Sequence, residues 1–159
     1  MNNKKMLALD QQLCFSIYAC SREICRLYRP HLEEMGLTYP QYLVLLILWD
    51  KHSCTVKQLG KLLYLDSGTL TPMLKRLEAM ELVKRERSTT DERTVNVTIT
   101  DKGKELQGRA NGIKSALVES TAISMEEFGS LLVQMQAMLE RIHELNQNKT
   151  YCCIEADKE

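Results

Sequence analysis

The run DSGTLTPMLKRLEAM, Asp66–Met80, joins a buried face to an open one. Leu70, Met73, Leu74 and Leu77 recur at i, i+3, i+4, i+7, which predicts a helix with one face in a core. Its opposite face holds Gly68, Pro72, Lys75 and Arg76, with Thr69 and Thr71 on the flanks, and Asp66 or Ser67 stands ready to cap the first turn. After Leu82 the period drops from 3.6 to 2. Val83, Arg85 and Arg87 alternate with Lys84 and Glu86, a polar turn fills 88–92, and Val95, Val97 and Ile99 alternate with Thr94, Asn96 and Thr98. This predicts a β-hairpin with one buried face. Upstream, Thr55-Val56-Lys57-Gln58 is a T-x-x-Q helix start for a short helix that stops by Asp66. A short helix, a tight turn, a second helix with a polar outer face and a basic hairpin make a winged helix-turn-helix, whose second helix enters the DNA major groove.

The side chains suit that use. Small residues at the start of the second helix permit close approach, the hydroxyls of Ser67, Thr69 and Thr71 can bond phosphates or base edges, and Lys75 and Arg76 add charge. Lys84, Arg85 and Arg87 read as phosphate contacts. Arg93, oriented by a salt bridge from Asp91, reads as a minor-groove reader at the hairpin tip. The candidate DNA-binding set is therefore Asp66, Ser67, Gly68, Thr69, Thr71, Lys75, Arg76, Arg85, Asp91 and Arg93. The plainer alternative is a solvated amphipathic helix whose Ser and Thr serve only as caps.

Composition limits what surrounds this lobe. The 159 residues are 44% hydrophobic and 26% charged with seven Gly and three Pro, an ordinary globular balance that excludes disorder as the main theme. No apolar run reaches the roughly 20 residues of a membrane span, and MNNKKMLALDQQL lacks a signal peptide's apolar block. The expectation is a cytoplasmic protein with reduced thiols and no membrane partner. Lys plus Arg and Asp plus Glu are 21 each, but the neutrality is a sum of unequal parts. Residues 51–104 carry 11 basic and 7 acidic side chains, and residues 105–159 carry 5 and 9. The basic segment coincides with the helix-turn-helix and its hairpin.

Long helices flank the lobe. From Asp10 to about Glu34, Leu13, Ile17, Cys20, Ile24 and Leu27 repeat at 4, 3, 4, 3 spacing, a coiled-coil-like seam with Asp10 as its expected N-cap. Thr38-Tyr39-Pro40-Gln41 opens a second helix to about residue 51, whose run YLVLLILW is apolar nearly all round and so belongs at the centre. Thr100-Asp101 caps a helix to about Thr121, and Ser124-Met125-Glu126-Glu127 opens a last one carrying Leu131, Leu132, Met135, Met138, Leu139 and Ile142. The predicted fold is mainly α with a small β-hairpin. It is one domain, 1–159, with a winged helix-turn-helix lobe at 40–103, helical dimerisation regions at 8–37 and 104–148, and a flexible tail at 149–159.

The six cysteines, Cys14, Cys20, Cys25, Cys54, Cys152 and Cys153, have no paired C-x-x-C spacing, and His31, His52 and His143 form no motif with them, so no metal site and no cofactor are expected. Cys14 and Cys25 are separated by about 16 Å along one helix and cannot bridge within a chain. Cys20 on the seam and Cys54 in a loop read as structural. Cys14, Tyr18, Ser21, Cys25 and Tyr28 form a second stripe at 4, 3, 4, 3 spacing beside the seam.

The order of elements and DERTVNVTITDKGKEL after the wing turn resemble the MarR family of dimeric winged-helix regulators. LDQQLCFSIYACSR, YRPHLEEMGLTYPQYLVLLILW and LDSGTLTPMLKRLEAMELVKR resemble more narrowly its organic hydroperoxide resistance regulators. The likeness is close over residues 9–106. It implies a homodimeric repressor of an inverted-repeat operator on double-stranded DNA, released when organic hydroperoxide oxidises Cys14. It implies also that Cys14 is hydrogen-bonded across the dimer by residues matching Tyr28 and Tyr39, with Tyr18 close by. Within one straight helix Tyr28 is about 21 Å from Cys14, so such contacts require an antiparallel partner. Hydroxyl donors and the positive end of a helix both favour a thiolate, the nucleophile that peroxide oxidises to a sulfenic acid. Some relatives carry a resolving cysteine in the helix after the wing. Residues 101–121 contain none, which points to a one-cysteine sensor using a low-molecular-weight thiol.

Two other readings are open. A small phenolic or aromatic ligand in place of oxidation would release the same DNA-binding protein. A peroxidase-like thiol enzyme would need a resolving partner or base beside Cys14, and the sequence offers none, so no enzymatic role is expected.

Overall fold

The computed structural model describes residues 8–147 except Thr90, Glu92, Ala122 and the side chain of Lys114. The tail 149–159, with Cys152 and Cys153, lies outside the described residues. Helices are α1 (Leu13–Glu33), α2 (Tyr39–Lys51), α3 (Val56–Leu63), α4 (Ser67–Ala79), α5 (Asp101–Ala110), α6 (Ile113–Thr121) and α7 (Met125–Gln147). Strands are β1 (Ser53–Thr55), β2 (Val83–Arg87) and β3 (Val95–Ile99), antiparallel in the order β1-β3-β2. The chain divides into two compact units, residues 1–114 and 115–159.

In the first unit α2 is the hub. Its Val44, Leu45 and Leu48 are fully buried, as are Leu59 of α3 and Leu70, Leu74 and Leu77 of α4, with Val83, Val97 and Ile99 of the sheet closing the core. Each such side chain contributes about 1.5–3 kcal/mol through burial. The Trp49 indole N–H donates to the Gly103 carbonyl at 2.8 Å, tying α2 to α5. Arg109 donates to the Glu34 carbonyl at 2.9 Å, tying α5 to the end of α1.

Caps set most helix starts where the sequence placed them. Gln41 Oε1 accepts from the Thr38 N–H at 2.8 Å. Thr55 and Gln58 bond reciprocally at 2.8 and 3.1 Å. The Thr100 hydroxyl accepts from the Gly103 N–H at 3.1 Å. In the second unit Ser124 and Glu127 close a capping box at 2.9 and 3.2 Å, opening α7, along which Leu131, Leu132, Met135, Leu139 and Ile142 are exposed.

Four expectations are corrected. Asp10 does not cap α1: Leu9–Gln11 form a 3₁₀ turn and Gln12 is the N-cap, so Cys14 is the second residue of the helix. Cys54 is not in a loop. It sits in β1, paired with Val97 and 4% exposed. The hairpin is thus two strands of a three-stranded sheet. The single helix expected from Asp101 to Thr121 breaks at Asn111-Gly112, where Gly112 takes φ 95°, a conformation that glycine adopts without Cβ strain.

Candidate DNA-binding surface and redox site

α4 presents the surface the sequence anticipated. Asp66 is its N-cap: one carboxylate oxygen accepts from the Thr69 N–H at 2.9 Å and the other from the Thr69 hydroxyl at 2.8 Å. The Thr69 backbone bond, then its hydroxyl, hold the Asp66 carboxyl below the usual range. The Thr71 hydroxyl donates back to the Ser67 carbonyl at 2.7 Å. Thr69 and Thr71 thus spend their protons inside the helix and offer outward only acceptor lone pairs. Ser67, Gly68, Thr69, Pro72, Lys75 and Arg76 are exposed, and Thr71 is half-buried. Lys75 and Arg76 are one turn beyond the hydroxyl cluster on this open face.

The hairpin divides its cations. Cross-strand register puts Cys54, Val97 and Arg85 in one row, on the inward face with buried Val97. The Arg85 side chain is only 19% exposed, its guanidinium lies 3.7 Å from Glu78 of α4, and the Arg85 backbone N–H donates to the same carboxylate at 3.0 Å. Arg85 is therefore corrected from a free phosphate contact to a strut that holds the wing against α4 through Glu78. Its alternation in phase with Val83 was the sequence signal. Glu78 itself gave none. Lys84 pairs with Glu86 at 2.7 Å on the outer face. Among the described residues Asp91 forms no ion pair with Arg93. Its carboxylate accepts from the Thr94 hydroxyl at 2.9 Å and from the Arg93 backbone N–H at 3.0 Å, bonds that lower its pKa. Asp91 shapes the turn, and Arg93 remains exposed on it.

The thiol residues fall at two ends of α1. Cys14 is exposed in the first turn, and Tyr18, one turn on, is 59% exposed with the Arg22 guanidinium 5.5 Å above its ring. At the far end Tyr28 packs on Tyr39 with ring centroids 4.8 Å apart, and Tyr42 joins both, 5.9 Å from Tyr28. Tyr42 was hidden in the apolar run of α2. A single chain brings Tyr28 and Tyr39 together and leaves Cys14 at the opposite end of the helix. Burial is the main cause that raises the tyrosine pKa values, with Tyr39 pushed up to about 12. A phenol whose folded pKa is raised supports the fold fully below its unfolded value of 10.0, and that support is lost as pH rises toward 12. Spectrophotometric titration will find tyrosines ionising well above pH 10, and alkaline loss of stability over that window. A Tyr39→Phe variant that leaves the high-pH phase intact contradicts this.

A helix-turn-helix with a wing, preceded by a long helix α1 that carries a thiol stripe, defines a winged-helix transcriptional regulator. The family model of the transcriptional regulator SarA/Rot matches residues 26–109. The chain is 44% identical over 147 residues, 92% of its length and 100% of the relative's, to the organic hydroperoxide resistance transcriptional regulator of Bacillus subtilis. Among solved structures it resembles reduced AbfR bound to DNA, with TM-score 0.71 and 38% identity over 89% of this chain and 99% of that one. It also resembles a mutant MarR of E. coli complexed with operator DNA, with TM-score 0.69 and 25% identity over 80% and 93%. The chain belongs to the MarR family of winged-helix regulators, in its organic hydroperoxide resistance branch.

Proposed function

We propose that this protein is a homodimeric repressor that binds an inverted-repeat operator through α4 and the wing and lets go when an organic hydroperoxide oxidises Cys14. The observation that carries this is the combination, in one chain of this branch, of an open polar and basic α4 face with an exposed Cys14 at the start of α1. Oriented N–H groups at a helix start favour an anion, and Cys14 occupies that position. Tyr28 and Tyr39 keep their protons at neutral pH and so remain donors to a thiolate. Dimerisation supplies what one chain lacks. Along the seam Leu13, Ile24 and Leu27 are 62%, 41% and 40% exposed, an apolar stripe that a second copy of α1 would cover. A regulator of this kind works beside DNA in the cytoplasm, where thiols rest reduced. Its role is a stoichiometric switch, not turnover of peroxide.

A two-fold dimer sets its two α4 helices about one DNA turn, roughly 34 Å, apart. Fluorescence anisotropy with inverted repeats and single half-sites tests this: the repeat will bind far more tightly. Lys75→Ala will weaken all sequences alike and reduce the salt-dependence slope by about one for each protomer, hence by about two for the dimer. Equal affinity for repeat and half-site would overturn the dimeric reading.

One observation favours release by a small ligand as a second reading. Met35, Met80, Leu82, Lys102, Glu105, Leu106 and Arg109 line a cleft of about 440 Å³, mainly apolar with two cations and one carboxylate, a size that suits a small phenolic or aromatic ligand. Anaerobic titration of the reduced operator complex with such compounds separates the readings, because only the ligand route releases DNA without peroxide.

A further inference from the structure

Glu78 stands on the flank of α4, between the buried stripe of Leu70, Leu74 and Leu77 and the exposed Lys75. It reaches the wing rather than the open face. Its carboxylate accepts from the Arg85 backbone N–H at 3.0 Å and lies 3.7 Å from the Arg85 guanidinium. Arg85 is at the middle of β2, two residues nearer the wing tip than buried Val83. Its Nε is buried with no hydrogen-bond partner among the described residues, and the one ion pair it makes there is with Glu78. A largely buried cation of this kind is held in place by its counter-charge and is driven toward water when that charge is removed. Lys84, by contrast, pairs with Glu86 of its own strand and ties the wing to nothing else. β1 backs β3 only along Asn96–Thr98, so past the Arg87–Val95 pair the hairpin runs on as a two-stranded ribbon, which has little rigidity of its own. The direction of that ribbon is set at its root, where Glu78 grips it.

We propose that Glu78 is a positioning residue for DNA recognition: by fixing β2 to α4 it makes the major-groove contacts of α4 and the minor-groove contact of Arg93 a single, coupled reading. This rests on α4 and the wing being the DNA-binding surface. The two grooves lie side by side on the duplex, and both contacts form together only when the wing leaves α4 at the right angle. Arg93 is exposed on the turn beyond Arg87, so its place follows from the angle of the ribbon. Without Glu78 the guanidinium of Arg85 turns outward, β2 loses its bond to α4, and Arg93 no longer meets its groove while α4 still meets its own. The charge of Glu78 acts in the opposite direction. A carboxylate near phosphates repels them, so its removal would raise affinity if charge alone mattered. Loss of position lowers affinity, and the sign separates the two.

The test uses full-length reduced protein and a labelled duplex that the wild type selects from a randomised inverted-repeat library. Fluorescence anisotropy gives affinity, hydroxyl-radical cleavage reports the minor groove, and dimethyl sulfate reports guanine N7 in the major groove. Arg93→Ala and Glu78→Ala should each weaken binding by about tenfold, and the double variant by little more than either, where independent contacts would multiply to about a hundredfold. Glu78→Ala should lose the minor-groove protection, as Arg93→Ala does, and keep the major-groove protection, a pattern that general destabilisation does not give. Glu78→Gln, whose amide oxygen still accepts from the Arg85 N–H, should stay within about threefold of wild type. The combination of Glu78→Ala with Lys75→Ala should multiply. Four results would overturn the proposal while leaving DNA binding in place: tighter binding by Glu78→Ala, intact minor-groove protection in that variant, multiplied effects of Glu78→Ala and Arg93→Ala, or wild-type affinity in Arg93→Ala. Failure of the wild type to enrich any duplex from the library would sink both this proposal and the DNA-binding reading beneath it.

Discussion

Cys14→Ser protein will stay on its operator at hydroperoxide concentrations that free the wild type. The serine hydroxyl keeps the size and hydrogen-bonding capacity of the thiol, and position 14 is exposed in the first turn of α1, so the reduced-state fold and DNA affinity change little. The oxidisable sulfur is what is lost. Peroxide then has no route to a sulfenic acid at position 14. Wild type should lose operator affinity by about a hundredfold, equivalent to about 2.7 kcal/mol, and the variant by less than about twofold. Gel shifts across a peroxide series check it. Release of the variant at wild-type concentrations would assign sensing to another group, with Cys20 and Cys25 the next to test.

Gly103→Ala will cost about 3 kcal/mol or more of stability, because α5 starts in direct contact with the chain that leads into the wing. A Cβ on Gly103 would lie 2.3 Å from the Leu82 carbonyl oxygen and 2.8 Å from Ile99 Cγ1. The oxygen is backbone, held by the Thr100 N–H at 3.1 Å, and cannot swing aside. Overpacking of this kind costs about 1–3 kcal/mol. Moving Gly103 also strains the bond its carbonyl accepts from Trp49, whose buried indole N–H would cost about 1–3 kcal/mol if left unpaired. Gly108, in the same helix, has nothing within 4 Å of its would-be Cβ, so Gly108→Ala should stabilise by about 0.5–1 kcal/mol. Urea unfolding of both at one protomer concentration gives the comparison. Equal effects would mean that the close approach at Gly103 is not what fixes α5.

The elements legible in the sequence were those specified locally. The caps at Thr38, Thr55, Asp66, Thr100 and Ser124 each act within three residues, and the core stripe of α4 needs only its own periodicity. β1 was not legible because three residues have no period. Ser53–Thr55 become a strand only by pairing with β3, more than forty residues away. Arg85 was misread although its phase with Val83 was plain, since a cation on an inward strand face makes sense only once Glu78 is opposite. On α4, Thr69 and Thr71 sit on or beside the exposed face, as the spacing placed them, and only the structure shows that their hydroxyls donate within their own helix start. For the thiol site, spacing gave the stripe, and the length of α1 gave the separation of Cys14 from Tyr28 within one chain. Tyr42, embedded among aliphatic residues, became visible only as a ring against Tyr28.

The redox switch is tested most directly by following DNA and sulfur in one sample. A labelled inverted-repeat operator complex is titrated anaerobically with substoichiometric organic hydroperoxide, anisotropy reports bound DNA, and aliquots quenched with dimedone and alkylating agent report the state of Cys14 by mass spectrometry. The fraction of DNA released should rise in proportion to the fraction of Cys14 oxidised, and stop when Cys14 is consumed. Release while Cys14 is still reduced, or full oxidation of Cys14 with the operator still bound, would contradict it.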